Sequence, residues 1–385
     1  MFKTEVLTIE KLTEREKEVL ELIKKDATIS REEIADHLAI SESVVGTYIH
    51  HLSSKGYLLG RGYITAPEKK VVVVGGANLD IKGYSPNYIK GSSSPGWIEE
   101  SSGGVGRNIA EDMALLGQEV VLLTAISSDH FGQKLKEETK DAGVDISHFK
   151  TSSAQEHKTG VYLAHLDQNG DLIGAVNDMR ILKEIDSNYL QEKRKIIENS
   201  AMLIFDTNLE ENTINFLLEL CSEKKMIKIA DAVSVEKALK LKGKLESIDY
   251  LRGNLDEIEV VLDIFKIEES EKAQKLNIKD RIKRVRNFYE KDKCLPDLIM
   301  SAGKDGAYYL SRQNGKVKLK HFKAAEINKE EVVETTGAGD ALTAGLAAGI
   351  MNEYSIDGAI ELGIKASALT VKSELTCNPD LAELK

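Results

Sequence analysis

Apolar residues recur at three- and four-residue spacing in three short segments near the start of the chain. Capping boxes open the first two segments, Thr13 with Glu16 and Ser30 with Glu33. The spacing predicts three helices, whose apolar faces are Val19, Leu20, Leu22 and Ile23, then Ile34, Ala35 and Leu38, and then Val45, Tyr48, Ile49 and Leu52.

The segment YLLGRGYI follows the third helix and predicts two short strands around a turn at residues 60–62. Three helices followed by a hairpin resemble a winged helix-turn-helix domain, with residues 41–54 as its recognition helix. We therefore predict a first domain over residues 1–66. DNA binding is one function for it, and docking or dimerisation by a domain that keeps the fold is the alternative.

The pattern changes from Lys70 onward. Apolar runs predict buried strands at residues 71–76, 120–126, 202–206, 227–231 and 298–303. Helical patterns separate them, for example at residues 108–116 and 213–224. This alternation predicts a second domain over residues 67–385, an α/β fold in which helices cover both faces of a parallel sheet. Ligands are expected at the carboxyl ends of its strands.

Two stretches interrupt this alternation, residues 81–102 and residues 157–177. In the second stretch, alternating positions on both sides of an Asn169-Gly170 turn predict a hairpin. Together the two stretches predict a small antiparallel sheet that stands off the main one. We expect this sheet to act as a lid over the ligand cleft.

Composition narrows the class of protein. The 52 Lys and Arg against 63 Asp and Glu give a net charge of −11, which disfavours broad binding of nucleic acid by the whole chain. A hydrophobic content of 42% excludes disordered and collagen-like proteins. Cys221, Cys294 and Cys377 lack the spacing of a disulfide framework or a zinc site. With no signal peptide and no membrane-length apolar stretch, we expect a cytoplasmic protein without a membrane partner.

Charge also bears on the first domain. Residues 1–66 hold nine Lys and Arg against eleven Asp and Glu, a net charge of −2. The polar residues in and beside its predicted recognition helix are Ser41, Glu42, Ser43, Thr47, His50, His51 and Lys55. These side chains can contact bases but neutralise few phosphates. Both functions of the domain therefore stay open.

The segment TTGAGD at residues 335–340 precedes an apolar helical pattern. Glycines ahead of a helix let backbone N–H groups turn toward an anion at the positive end of the helix dipole, which would make a phosphate cradle. Asp340 at its rim is placed to take a proton from a hydroxyl that attacks phosphorus. A glycine-rich turn with Asp340 as an ordinary helix cap is the alternative.

A second glycine loop, SGGVGRN at residues 102–108, also opens a helical pattern. It lacks the third glycine of the dinucleotide-binding fingerprint, and the chain contains no GxxxxGK[ST] phosphate loop. Asn78 and Asp80 follow the first strand of the second domain. Together with the loop they offer carboxylate, amide and backbone groups suited to the paired hydroxyls of a sugar.

The two motifs SGGVGRNIA and TTGAGDALTAG lie about 230 residues apart and resemble the two signatures of the ribokinase-like (PfkB) sugar and nucleoside kinases. The resemblance extends over residues 70–380 and implies a three-layer α/β/α sandwich with a small β lid. The segments GGANLDIKGYS, VNDM, DAVS and NPDL are similar to those of members that act on pseudouridine and related nucleosides. Some of these members also carry an N-terminal helix-turn-helix.

The resemblance implies a role for each matched position. Asp340 is the expected catalytic base, and Gly337, Ala338 and Gly339 are the expected anion hole. The residues expected to bind substrate are Asn78, Asp80, Gly103, Gly104, Arg107 and Asn108, joined on the lid by Asn177 and Asp178. The residues expected to bind ATP are Asn254, Glu257, Ser301, Gly303 and Gly306, of which Glu257 would organise Mg²⁺ through water. Three of these roles have an alternative. Glu257 could be simply an exposed helix carboxylate, Arg107 either neutralises phosphate or pairs with a nearby carboxylate, and Asn378 either caps a loop or edges the adenine pocket.

Three positions depart from the family pattern. Glu334 stands six residues before Asp340, where the family often has an aspartate that helps to hold a monovalent cation such as K⁺. Ala232 stands where related members tend to have proline, and Arg252-Gly253 stands where the family commonly has lysine-proline. ATP and Mg²⁺ are therefore the expected cofactors, and K⁺ is a further one that depends on Glu334.

The expected activity is ATP-dependent phosphorylation of the 5′-hydroxyl of a ribonucleoside, first of all pseudouridine. Inosine, another nucleoside and free ribose are the alternatives within this reaction. A transcription regulator whose kinase-like domain senses a nucleoside is the alternative from another class. The resemblance further implies a homodimer formed through the lid sheets.

Overall fold

The structure is a computed structural model that describes residues 12–26, 29–55, 57–58, 70–155, 157–266 and 275–385. Contacts divide the chain into two units, Met1–Glu68 and Lys69–Lys385. Among the described residues, the helices are all too short or too polar to cross a membrane.

The described residues of the first unit form three helices, α1 (Glu14–Lys25), α2 (Arg31–Leu38) and α3 (Glu42–Ser54). Both predicted capping boxes are present at the starts of α1 and α2. The predicted apolar faces meet in one core, whose most buried members are Val19, Ile23, Ile34, Val45 and Leu52. The three predicted helices are therefore confirmed. The turn predicted at residues 60–62 lies outside the described residues.

The described part of the second unit contains fourteen strands: β1 (Val71–Val74), β2 (Asn78–Tyr84), β3 (Trp97–Gly103), β4 (Val120–Leu123), β5 (Ala125–Ser127), β6 (Lys150–Ser152), β7 (Gly160–Leu166), β8 (Leu172–Asp178), β9 (Met202–Asp206), β10 (Ile227–Asp231), β11 (Tyr250–Asn254), β12 (Asp297–Ser301), β13 (Ala307–Gln313) and β14 (Lys316–Phe322). Eight of them form the main sheet, in the order β14-β13-β12-β11-β10-β9-β1-β4. The six strands from β12 to β4 in this order are parallel, as predicted, and β13 and β14 continue the sheet antiparallel.

The α-helices in the part of the second unit that the structure describes are α4 (Val105–Leu115), α5 (His130–Asp141), α6 (Ser187–Glu192), α7 (Arg194–Glu198), α8 (Glu211–Leu220), α9 (Val235–Ala238), α10 (Leu255–Val261), α11 (Ile278–Lys291), α12 (Ala338–Met351) and α13 (Ile356–Thr370). Alternate residues of β1 pack into two different cores: Val72 and Val74 with α8, α10 and α11, and Val71 and Val73 with α4 and α12. Helices therefore cover both faces of the sheet, which confirms the three-layer α/β/α sandwich.

Four strands form the lid sheet, in the order β3-β2-β7-β8. The β2–β3 and β7–β8 pairs are antiparallel, but β2 and β7 pair in parallel, from Asn78 with Gly160 to Tyr84 with Leu166. The prediction of a purely antiparallel lid is therefore wrong. Each predicted stretch does form its own antiparallel pair, and the chain between them returns to the same end of the lid, so the two pairs join in parallel.

The run at residues 120–126 was predicted as one strand but is divided at Thr124. β4 belongs to the main sheet, whereas β5 leaves it and pairs with β6 in a separate two-stranded sheet. The apolar run continues through the break because both strands are buried. Hydrophobicity alone therefore does not mark where the chain changes sheets.

Candidate active site

Helix α12 begins after a turn that favours glycine. Gly337 has a φ of 83°, and a Cβ at this position would lie 2.2 Å from the carbonyl oxygen of Thr376. No side chain caps the start of this helix. The Ala338 amide donates a long hydrogen bond to the carbonyl oxygen of Thr335, at 3.4 Å. Because first-turn amides have no partner within an α-helix itself, the backbone at Gly337, Ala338 and Gly339 can bind an anion. We call these three residues the anion cradle.

Asp340 lies in the first turn of α12 and is 8% exposed. Its Oδ2 accepts a hydrogen bond from Nδ2 of Asn108 on α4, at 2.8 Å, so the carboxylate does not act as the helix cap. Burial, and then the nearby Asp231 carboxylate, raise the pKa of Asp340 to about 8, against the effects of Asn108 and Arg252. A carboxyl group with a pKa near neutrality is suited to receive a proton from a hydroxyl.

A buried ion pair lies beside the anion cradle. Arg252 on β11 donates from Nη1 to Oδ2 of Asp231 on β10, at 3.2 Å. Thr343 donates from Oγ1 to the same oxygen at 2.8 Å. The guanidinium lies against Gly339, where a Cβ would be 2.1 Å from Nη2. Gly339 therefore leaves the space that Arg252 occupies.

The residues predicted to bind a sugar converge at the base of the lid. Asn78 and Asp80 on β2 are buried, and Asn78 Nδ2 donates to Oδ1 of Asp80 at 2.6 Å. Burial raises the pKa of Asp80. Gly103 on β3 pairs with Asn78 on β2. Gly104, with a φ of 99°, then leads from the lid into α4. The wall that these residues form continues through α4 to Asn108, the partner of Asp340.

Arg107 is committed to partners within the fold. Its Nε donates to Oγ1 of Thr139 at 2.9 Å, and Nη1 donates to the carbonyl oxygen of Ser102 at 3.3 Å. Its Nη2 lies 2.5 Å from Oε2 of Glu111. Of the two roles that the sequence left open for Arg107, the structure therefore favours pairing with a nearby carboxylate.

The two lid candidates on β8 differ in orientation. Asn177 lies in the same row of the lid as Asp80 and Tyr162, because each pairs with the next across the strands. Asp178 is on the opposite face, where its carboxylate accepts hydrogen bonds from Arg180 at 2.7 and 2.9 Å. Only Asn177 therefore shares the face of the lid that carries Asp80.

Asn254 and Glu257, three residues apart, form a capping box at the start of α10. Asn254 Oδ1 accepts from the Glu257 amide at 2.9 Å, while the Asn254 amide and Nδ2 donate to the two oxygens of Glu257 at 2.8 and 2.9 Å. Burial raises the pKa of Glu257, against the effect of Arg252. Within the described residues no three His, Cys, Asp or Glu side chains form a metal site. A single preoriented carboxylate fits Mg²⁺ held through water, with phosphate oxygens as further ligands.

A cavity of about 950 Å³ lies beside the anion cradle. Ser301, Gly303 and Gly306, all predicted to face the nucleotide, line it. Ala338, Gly339 and Arg252 line the same cavity. Asn378, by contrast, donates to the carbonyl oxygen of Leu369 at 2.8 Å and accepts from the Asp380 amide at 2.9 Å, which is the loop-capping role.

Several polar residues near the candidate site were not among the predicted site residues. Asp206 and Asp231 end two neighbouring parallel strands and are fully buried. The carboxylate of Asp206 accepts hydrogen bonds from the amides of Gly76 and Asn208, at 2.8 and 2.7 Å. Lys237 donates to Oδ1 of Asn208 at 2.5 Å, and burial lowers the pKa of Lys237. An aspartate at the end of each of two adjacent strands was the signal that could have found this cluster.

Comparison with known proteins finds a family match in each unit. Residues 68–383 match the pfkB family of carbohydrate kinases, over more than half of the chain. The chain belongs to this family. Members of the pfkB family transfer phosphate from ATP to a hydroxyl group, so the protein is an ATP-dependent phosphotransferase. Residues 10–55 match the luxR family of bacterial regulatory proteins, in agreement with the predicted helix-turn-helix.

Similar pfkB proteins include two from Escherichia coli. The uncharacterized sugar kinase YeiI is 31% identical over 373 residues, 96% of this chain and 97% of the relative. Pseudouridine kinase is 32% identical over 315 residues, 81% of this chain and 93% of the relative.

Solved structures confirm the ribokinase-like fold. A carbohydrate kinase from Agrobacterium tumefaciens is 28% identical with a TM-score of 0.64, covering 82% of this chain and 96% of that one. Ribokinase from Arabidopsis thaliana, complexed with ribose and ATP, is 19% identical with a TM-score of 0.67, covering 83% and 99%, and shows the shared fold.

Proposed function

We propose that this pfkB-family protein phosphorylates the 5′-hydroxyl of a ribonucleoside, and that pseudouridine is its substrate. The observation that carries the proposal is the position of Asp340, which lies at the anion cradle and is hydrogen-bonded to Asn108 on the wall that also includes Asp80. A sugar bound to that wall would place a hydroxyl between the carboxylate and the cradle. The likeness to pseudouridine kinase over 81% of the chain supports the choice of substrate.

In the proposed reaction, Asp340 receives the proton of the 5′-hydroxyl as its oxygen attacks the γ-phosphorus of ATP and the bond to ADP breaks. The amides of the anion cradle stabilise the charge on the transferred group, and Arg252 adds a positive charge beside Gly339. Mg²⁺, when bound, neutralises phosphate charge, and Glu257 would hold it through water. Positioning by Asn78, Asp80 and Asn108 supplies much of the acceleration.

The Asn208–Lys237 pair supports a nucleoside substrate whose nucleobase carries several carbonyl oxygens. Nδ2 of Asn208 lies 3.2 Å from the point where a Cβ of Gly76 would be, two residues before Asn78. Amide and ammonium groups donate hydrogen bonds, and the uracil ring of pseudouridine offers two carbonyl acceptors. Inosine, which carries one carbonyl, and free ribose remain the alternatives, and a guanosine-inosine kinase is also similar to this chain at 25% identity.

The residues at the expected K⁺ position do not suit a monovalent cation. Oε2 of Glu334 accepts a hydrogen bond from Lys82, and Oε1 accepts from Thr335 and Thr336. An ammonium group therefore already neutralises this carboxylate, and we assign K⁺ no step. Equal rates in potassium and Tris buffers are expected.

A panel of nucleosides and sugars tests the proposed reaction. Full-length protein is mixed with ATP, Mg²⁺ and pseudouridine, uridine, inosine, guanosine or ribose, and ADP formation is measured with product identification by mass spectrometry. Pseudouridine is expected to give the highest kcat/KM and a 5′-monophosphate. Faster turnover of another acceptor would replace pseudouridine, and failure of every acceptor would refute the proposal.

We further propose that the first unit binds DNA. The match of residues 10–55 to the luxR regulatory family supports this function. Its charge argues for weak phosphate binding, because Lys55 beside the recognition helix already pairs with Glu16 at 2.8 Å. Gel shifts with DNA from upstream of the gene, with and without nucleoside, test the proposal across a salt series. No shift at low salt would favour a docking domain.

A homodimer is the proposed assembly. The face of the lid opposite Asp80 carries exposed apolar residues, Ile98 on β3, Leu163 on β7 and Val176 on β8. A second copy of the chain would remove this surface from water. Analytical ultracentrifugation tests the assembly, and Leu163→Glu is expected to give monomers.

A further inference from the structure

Lys82 occupies a distinctive position on the lid. Because alternate residues of a strand share a face, Lys82 lies on the same face of β2 as Asn78 and Asp80. Its side chain is 15% exposed, and its ammonium donates a hydrogen bond to Oε2 of Glu334. The contact spans 252 residues of sequence. It joins the strand that carries the proposed sugar site to the segment immediately before the anion cradle.

Glu334 holds that segment in place. Its other oxygen, Oε1, accepts hydrogen bonds from the amides of Thr335 and Thr336 at 2.9 and 3.1 Å, and from Oγ1 of Thr336 at 2.9 Å. The Glu334 amide donates to the carbonyl oxygen of Val371 at 3.3 Å. One carboxylate therefore contacts the lid through one oxygen and the approach to the anion cradle through the other.

Both partners are charged at neutral pH. Partial burial acts to raise the pKa of Glu334, but the hydrogen bonds from Lys82 and Thr336 lower it to about 2. The Lys82–Glu334 pair is also more enclosed than an ordinary surface pair, since Glu334 is 27% exposed. A charge-assisted hydrogen bond in such surroundings is directional, so it can fix the relative position of two segments.

We propose that Lys82 is a positioning residue that couples nucleoside binding at the lid to the geometry of the anion cradle. The inference rests on the proposed nucleoside kinase function. A nucleoside held by Asp80 fixes β2, and Lys82, two residues further on, then fixes the Glu334 carboxylate and the amides that lead into Gly337. Without the ammonium, both substrates still bind, but the cradle is less well aligned with the attacking hydroxyl.

The test compares Lys82→Met with wild type, Lys82→Arg and a matched control, Lys134→Met. Lys134 on α5 pairs with Glu100 on β3 at 2.7 Å, an ion pair between the lid and the body on the opposite face of the lid. ADP formation by full-length protein is measured with and without pseudouridine. The ratio of the two rates is the readout of coupling, because a purely structural contact would not change it.

Lys82→Met is expected to lower kcat and the stimulation by nucleoside about 10-fold to 100-fold, as for a misplacement of about 1 Å. The KM for ATP should stay within about threefold, and Lys82→Arg should keep most of the rate. Lys134→Met should behave as wild type. Glu334→Gln should lower kcat as well, and the double variant Lys82→Met, Glu334→Gln should be no slower than the slower single variant.

Wild-type coupling in Lys82→Met would overturn the inference and leave the proposed function intact. An equal loss in Lys134→Met, or a loss explained by the unfolded fraction in thermal melts, would also overturn it. If wild type phosphorylates a sugar in place of pseudouridine, the same ratio is measured with that sugar. A wild-type protein that phosphorylates no acceptor refutes both the function and the inference.

Discussion

Two helices of the site begin at a glycine with no side-chain cap, α4 after Gly104 and α12 after Gly337. At the start of α4 the chain itself closes the helix end, because the amide of Arg107 donates to the carbonyl oxygen of Gly76 at 3.0 Å. At the start of α12, by contrast, Ala338 and Gly339 line the large cavity.

The comparison shows that a glycine before a helix lets another segment pack closely against it. The glycine does not determine whether the first amides of that helix contact protein or a ligand. A Cβ at Gly104 would lie 2.6 Å from the Gly76 carbonyl oxygen, so at α4 the glycine admits the protein backbone. That helix contributes the side chain of Asn108 to the site. At α12 the glycine also admits protein backbone, since a Cβ at Gly337 would lie 2.2 Å from the carbonyl oxygen of Thr376, but the next two residues, Ala338 and Gly339, line the cavity. The glycine loops before α4 and α12 therefore have similar sequences but different roles.

The largest expected effect comes from the α12 side. Asp340→Asn keeps the shape of the side chain but removes the proton acceptor, so kcat is expected to fall about 10²-fold or more. The nucleoside dissociation constant, measured by calorimetry, should change little. A variant that turns over within a few-fold of wild type would remove Asp340 from the role of base.

An alanine substitution at each helix start distinguishes a glycine that serves catalysis from a glycine that serves packing. In Gly339→Ala the new Cβ would lie 2.1 Å from Nη2 of Arg252, so the guanidinium must shift, and we expect kcat to fall about 10-fold or more with a smaller change in melting temperature than in Gly104→Ala. Gly104→Ala meets backbone at positive φ, so we expect the free energy of unfolding to fall by about 2 kcal/mol or more. The reverse pattern in kinetics and thermal melts would contradict the comparison.

Asn108 links the two helix starts, and its effect appears in the pH dependence. Asp340 must be ionised to accept a proton, and the Asn108 hydrogen bond favours the ionised form against a pKa raised by burial. Asn108→Ala should therefore raise the pKa further and move the acid limb of the kcat/KM profile to higher pH, by about one unit. Asn177→Ala is the control, because Asn177 lies on the lid strand β8. An unmoved acid limb in Asn108→Ala would show that another group sets it.

A third helix start in the site, that of α10, gives the smallest expected effect. Here the side chain of Asn254 caps the helix, and the same hydrogen bonds orient the carboxylate of Glu257. Asn254→Ala is expected to lower the free energy of unfolding by about 1 kcal/mol and to raise the Mg²⁺ concentration needed for half-maximal rate. Asn277→Ala, which removes the cap of α11, is the control for stability alone. An equal Mg²⁺ requirement in both variants would show that Asn254 has no role in Mg²⁺ binding.

The sequence was informative where a few neighbouring residues decide the structure. Capping boxes at Thr13 and Ser30, the apolar strand runs and the glycines before Asp340 all act over fewer than about ten residues, so their patterns predict the elements. Asp206 and Asp231 were also within reach, because both end predicted strands of one parallel sheet.

Other features depend on packing between distant segments. The partners of Arg107 include Thr139 on another helix, so the sequence left two roles open. The approach of Arg252 to Gly339 and the Lys82–Glu334 pair join elements far apart in the chain. The parallel β2–β7 pairing follows from the path of the intervening chain, which no local pattern records.

The Lys82–Glu334 contact has a consequence for synthesis. At about 5 to 20 residues per second, a ribosome needs roughly 10 to 50 s to pass from one partner to the other. Throughout that interval the ammonium of Lys82, on the lid face that carries Asp80, lacks the Glu334 carboxylate. The proposed coupling therefore requires residue 334 to have been synthesised, and a product that stops before it would carry the lid strands without the anion cradle or Asp340.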